Sequence, residues 1–170
     1  MAQLNRLPGL LLVLVLFAAG SSSEILAAET IKLDDDGWYT WRVKTVGEYD
    51  EQKFYIHVQD GKAKEIEIVG RWCDGWQRSE RQYPEAIDFG LLEADSSIDW
   101  FEQYIGKRSD LSSDALAAIS MHNSERALQV LIGIVESDVD MDVREDAVFW
   151  MAQSDSEAAF EYLDTLLMAQ

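Results

Sequence analysis

The sequence predicts an α+β fold, because its apolar periodicity changes partway along the chain. From Gly37 to about Leu92 apolar residues recur at every second position, as in half-buried strands. From Ser96 onward they recur at spacings of three and four, as on a helix face. The helical part also aligns with itself after a shift of 32 residues. The expected architecture is a small antiparallel β-meander followed by a short array of α-hairpins. Its expected divisions are a leader over 1–20, a β-domain over 30–95 and a helical part over 96–170.

The leader is read from "MAQLNRLPGLLLVLVLFAAGSSS". Arg6 is its one charge, and the run Leu10–Ala19 carries no polar side chain before small residues follow. This is the layout of a secretory signal peptide. The run is half of the roughly 20 residues that a membrane span requires. Cleavage is expected near Ser21, with a cut after Ala28 as the alternative. The location this implies is periplasmic or secreted, with no membrane span after cleavage. Removing 1–20 leaves 13 basic against 32 acidic residues, a net charge of −19. Such a surface repels nucleic acid and anionic lipid, so no nucleic-acid partner is expected. Cys73 is the one cysteine, which excludes an internal disulfide, so the chain must fold on its apolar core.

In the β-domain, "WYTWRVKTV" is rich in aromatic and β-branched residues and opens the meander. "KFYIHVQ" sets Phe54, Ile56 and Val58 against Tyr55 and His57, and "AKEIEIVG" sets Ile66 and Ile68 against Glu65 and Glu67. Asp60-Gly61 between them is the pair a two-residue hairpin turn favours, since both positions need positive φ. "AIDFGLL" reads as the last strand, after a polar loop "RWCDGWQRSERQYPEA". Each strand has one apolar face, so one face of the sheet needs a cover. "SSIDWFEQYI", with Ser96 or Ser97 as its N-cap, is the natural one. Four short helices are expected after it, over 113–121, 124–136, 143–153 and 156–168. Their short connections make consecutive helices antiparallel neighbours.

In the shifted alignment, "DALAAISMHNSERALQVLIGIV" lies on "DAVFWMAQSDSEAAFEYLDTLL" without a gap. The turns coincide as well, with Asn123 on Asp155 as expected N-caps and Ser124-Glu125 on Ser156-Glu157. Helix, turn and helix superposing together is the signature of a stacked hairpin array.

These residues carry a resemblance. "DMDVREDAVFWMAQSDSEAAFEYLDTLL" resembles a HEAT-type repeat, in the short bacterial form related to the helical repeats of phycobilisome lyases. The matching positions are Asp140, Val143-Arg144, Ala147, Met151, Ala152, Asp155 and Ala158. The copy at Asp114–Val135 keeps the apolar pattern and lacks the Val-Arg pair. Taken in order, "GWYTW", "SIDWFEQYI", "ALAAISMH" and "VREDAVFW" make the chain similar to exported bacterial HEAT-repeat proteins. The resemblance implies protein–protein interaction or scaffolding and supplies no catalytic residues. Within such an array, Arg144 is expected to make charge-assisted hydrogen bonds where one repeat meets the next. The bulky residues Phe149, Trp150, Phe160, Tyr162 and Leu163 are expected in the core.

No catalytic constellation is legible, so no cofactor, metal or catalytic residue is assigned. His57 and His122 belong to different halves with no Cys or His nearby, and no zinc spacing exists. His122 is expected to end a helix, where a cation suits the dipole. Asp138, Asp140 and Asp142 alternate like the start of a calcium loop. The sixth and twelfth positions are Val143 and Phe149 where such a loop has Gly and Glu. The acids read instead as an inter-repeat turn.

The expected function is an exported protein-binding module of the bacterial envelope, its partner another envelope protein or a second copy of itself. The candidate surface is Glu125, Gln129, Glu157 and Glu161 on the second helix of each hairpin, with Leu166 and Met168 at the uncapped end. There the apolar residues either meet a partner or fold under, leaving Glu161, Asp164 and Thr165 in water. The alternative is a carbohydrate or small-ligand site on the loop bearing Trp72, Cys73 and Trp76, where flat rings suit a sugar face. A hydrolase is a third, weaker class.

Overall fold

The computed structural model describes residues 31–45, 51–70, 75–106, 109–154 and 156–168, without the Trp76 side chain. The expected signal peptide therefore lies outside the described residues. Four strands and six helices follow in the order β1 (Gly37–Lys44), β2 (Glu51–Gln59), β3 (Lys62–Val69), α1 (Gly75–Gln82), β4 (Ile87–Leu92), α2 (Ala94–Glu102), α3 (Asp110–Ser120), α4 (Glu125–Glu136), α5 (Met141–Gln153) and α6 (Glu157–Met168).

The sheet order is β3-β2-β1-β4. The first three strands form the expected antiparallel meander, with Trp41 opposite Phe54 and Phe54 opposite Ile68. Their hairpin turns at Asp60 and Gly61, whose φ angles of 54° and 64° are the positive pair the turn requires. The fourth strand departs from the meander: β4 runs parallel to β1 on its far side. A parallel neighbour needs a crossover rather than a tight turn. The segment expected to be a polar loop supplies it, and part of it is the helix α1. That helix carries little apolar signal, so periodicity alone misses it. It is held by Ser79, buried with its hydroxyl on the Gly75 carbonyl, and by Glu80 pairing with Lys53 at 3.1 Å. A bulge at Phe89-Gly90 interrupts the β1–β4 pairing, and Gly90 takes a positive φ of 75° there.

Both faces of the sheet are covered at their centre. On the inner face, Trp41, Val43, Phe54, Ile56 and Val58 are fully buried beneath α2 and α3. On the outer face, Thr40, Lys53 and Tyr55 are also buried. The Trp41 indole donates to Ser97 Oγ at 2.8 Å, and its ring packs against Phe54, Trp100 and Phe101. This corrects the expected cap: α2 starts at Ala94 after Glu93, and Ser97 is buried as the acceptor for Trp41.

His122 is corrected too. It follows α3 but is fully buried, stacked on Phe54 with ring centres 5.2 Å apart and set edge-on to Phe101. Nδ1 lies 2.8 Å from the Ala118 carbonyl, which places the proton on that nitrogen. Nε2 is buried without a partner. Burial pulls the imidazole down to about 4, against the hydrogen bonds to Ala118 and Ile119 that raise it. His122 is therefore a neutral aromatic core residue rather than a cation serving a helix dipole.

The four helices after α2 fall close to their expected spans. The second helix of each hairpin coincides at the 32-residue shift, Glu125 with Glu157 and Glu136 with Met168. Their N-caps agree as well: Ser124 Oγ accepts from Ala127 N and Ser156 Oγ from Ala159 N. Asn123, expected as the cap, sits one residue earlier with a positive φ of 45°. α5 packs on α3 and α4, and α6 on α5. One apolar core runs from Trp41 through Leu116 and Leu131 to Met151.

Two outcomes are expected from this core. Replacing Ser97 by Ala leaves the buried Trp41 N–H unpaired and costs about 1–3 kcal/mol in urea unfolding; a loss under 0.5 kcal/mol contradicts the role given to Ser97. For His122, the unfolded imidazole titrates near 6.5 and the folded one near 4. Between these values the unfolded chain binds the extra proton, so stability falls as pH drops from 6.5 toward 4. The full shift corresponds to about 3 kcal/mol. The His122→Phe variant should lose this part of the pH dependence, read as the native-minus-variant difference across that window.

Candidate interaction surface

The hairpin α5–α6 packs on α3 and α4, and its sequence determines what it leaves outside. Along α6, Ala159, Tyr162 and Leu163 recur at three and four and pack into the core, with Leu166 half-buried one turn on. Tyr162 also donates to Glu136 Oε1 of α4 at 3.3 Å. The opposite side of α6 is mixed: beside Glu157, Glu161, Asp164 and Thr165 it exposes Phe160 at 53%, Leu167 at 70% and Met168 at 80%. On α5, Met141 and Phe149 are 64% and 53% exposed, two turns apart on one side of the helix. Phe149 and Phe160 are thus not core residues, because the sides they occupy point away from α3 and α4. The alternative in which the terminal apolar residues fold under is also excluded. Leu166 is half-buried, while Leu167 and Met168 remain in water.

The other expected surface residues are placed as follows. Glu125, Gln129, Glu157 and Glu161 are all exposed on α4 and α6. Gln129 also lines an open groove of about 370 Å³ between α4 and the end of α2, floored by Ile105, Val130, Ile134 and Val139. Arg126 at its edge bonds to Asp99 and Glu102 of α2, at 3.0 and 2.6 Å. Asp140 caps α5 through Asp142 N at 3.0 Å, as the inter-repeat turn required. Arg144 does not make its expected contact; its Nε is buried without a partner. The polar contacts between the hairpins are instead Ser113 Oγ donating to Asp146 Oδ2 at 3.0 Å and the Tyr162–Glu136 bond.

The alternative ligand loop cannot be built in the same way. Trp72 and Cys73 lie outside the described residues, as does the side chain of Trp76. Among the described residues, the outer face of the sheet holds an aromatic cluster that alternation alone did not reveal. Trp38 lies between His57 and Tyr83, with ring centres 4.9 and 4.0 Å away. The Tyr83 hydroxyl donates to Glu67, and its pKa is raised by burial and then by that carboxylate. Both neighbours of Trp38 come from this chain, so the rings stack on one another. His57 and His122 occupy opposite faces of β2, which rules out a shared site. Among the described residues, no group of three or more His, Cys, Asp or Glu is arranged to hold a metal ion. Nor is any described helix long and apolar enough to cross a membrane.

The exposure of Phe149 and Phe160 is what sequence reasoning missed, although a signal for it was present. At the 32-residue shift, Phe149 falls on Ala117 and Phe160 on Leu128, positions that meet a further hairpin rather than the centre of their own. Comparison with protein-family models, with curated proteins and with solved structures finds no match to the chain.

The exposure itself predicts a contrast in stability. Replacing Leu167 by Ser should change unfolding free energy by less than about 0.5 kcal/mol. Replacing the buried Met151 by Ala should cost about 2–5 kcal/mol. Equal losses in chemical denaturation would mean that Leu167 is covered in the isolated chain.

Proposed function

We propose that this chain is an exported protein-binding module of the bacterial envelope, in which the mixed sheet closes one end of a short HEAT-like array. The observation that carries this reading is the set of exposed large apolar side chains on α5 and α6, Phe149, Phe160, Leu167 and Met168 above all. Apolar side chains gathered on one element of an otherwise strongly acidic chain mark an interaction site. The export part of the reading rests on the apolar run after Arg6. The partner is a protein, taken up on the α5–α6 flank with Glu157 and Glu161 at its edge.

Affinity capture from cross-linked envelope extract, read by mass spectrometry, tests this. The control bait carries Leu167→Glu and Glu161→Arg, both at exposed positions, so it keeps its fold. A partner recovered in near-stoichiometric amount by the native bait and lost by the control is the expected result. Equal recovery by both baits, or none by either, would sink the proposal.

A further inference from the structure

The first hairpin shows what covers the positions left open on the second. Ser113, Ala117, Leu128 and Val135 correspond, 32 residues on, to Glu145, Phe149, Phe160 and Leu167. On the first hairpin none of these positions is exposed, and those of Ser113 and Leu128 meet α5–α6. Ser113 bonds to Asp146, Ala117 is buried, and Leu128 lines a small crevice with Ser154 and Ser156. On the second hairpin the same positions are larger, apolar at three of the four, and exposed. The flank thus has the layout of a hairpin-receiving face, and among the described residues no hairpin lies on it.

Of the two polar contacts at the filled junction, Tyr162 to Glu136 has no counterpart at the open one, where the Glu136 position is Met168, so the Ser113–Asp146 contact specifies the sign of what would fit. At the filled junction a hydroxyl, Ser113, donates to an incoming carboxylate, Asp146. At the open junction the Ser113 position is a carboxylate, Glu145, and Glu157, Glu161 and Asp164 are exposed on α6. A hairpin like α5–α6 would bring its own acid against Glu145, and a second copy of this chain would set acidic edge against acidic edge. Like charges placed face to face disfavour both.

Resting on the protein-binding reading above, we infer that the α5–α6 flank receives a helical hairpin of another protein that carries lysine or arginine where α5 carries Asp146. Its apolar centre lies on Phe149, Phe160 and Leu167, and its basic edge meets Glu145 and Glu161. The acidic edge selects between partners of similar shape, which is how charge acts at an interface with an apolar centre.

The test supplies such a hairpin in cis. The full chain is extended by a copy of residues 137–168, so that the added hairpin acts at high effective concentration. In one arm the copy retains aspartate at the position taken from Asp146, and in the other that position is lysine. The lysine arm should melt roughly 3–6 °C above the aspartate arm and lose the difference in high salt. With Glu145→Lys in the body of the chain, the order of the two arms should reverse. The same order in both bodies, or no difference in either, overturns the inference. So does a dimer of the unextended chain in sedimentation that Leu167→Glu abolishes, since the occupant would then be a second copy. Capture of an envelope protein through Leu167, with no reversal between arms, would retain the binding module and discard the charge rule. Failure of both experiments would remove the binding module as well.

Discussion

The Trp41 side chain is the point on which the two halves of the molecule depend. It projects from the second strand in the sheet order that has neighbours on both sides, and it is fully buried. Its indole N–H would be costly there without an acceptor, and Ser97 of α2 is that acceptor. The hydrogen bond fixes where α2 lies on the sheet, and Phe101 of α2 then meets Phe54 and His122. His122 follows α3, the first helix of the array. A chain of aromatic contacts therefore runs from β1 to the helical hairpins. Sheet and array share one core and are not merely joined by a linker.

The period-based part of this structure was legible in the sequence. Alternation in "KFYIHVQ" and "AKEIEIVG" gave the hairpin, and Asp60-Gly61 gave its turn, because these signals are local. The last four helices were legible for the same reason, with caps off by a residue. Three things were not. The parallel pairing of β4 depends on which edge of the sheet the chain returns to, and no local pattern encodes that. Helix α1 is held by contacts made elsewhere, Lys53 on β2 above all, so its own residues announce little. His122 looked like a helix-terminal cation because sequence shows the helix end and not the rings that enclose it.

The candidate surface was legible only in part. Glu125, Gln129, Glu157 and Glu161 were placed in water correctly because they lie on the polar sides of amphipathic helices. Phe149 and Phe160 were assigned to the core on size alone, and size does not tell which side of a helix has a neighbour. The correspondence between hairpins does tell it, since an inward position on one hairpin becomes an outward position on the last.

One consequence lies at the borders of the sheet. Its two outer strands are β3 and β4, and each is a poor template for adding a further strand. β3 carries Lys62, Lys64, Glu65 and Glu67 and has a register shift in its pairing with β2. β4 is six residues long and is bent at Gly90. Charges, bulges and shortness at sheet borders all oppose edge-to-edge growth into fibrils. The rings that α5 and α6 hold in water thus sit in a molecule whose sheet borders offer little template for cross-β growth.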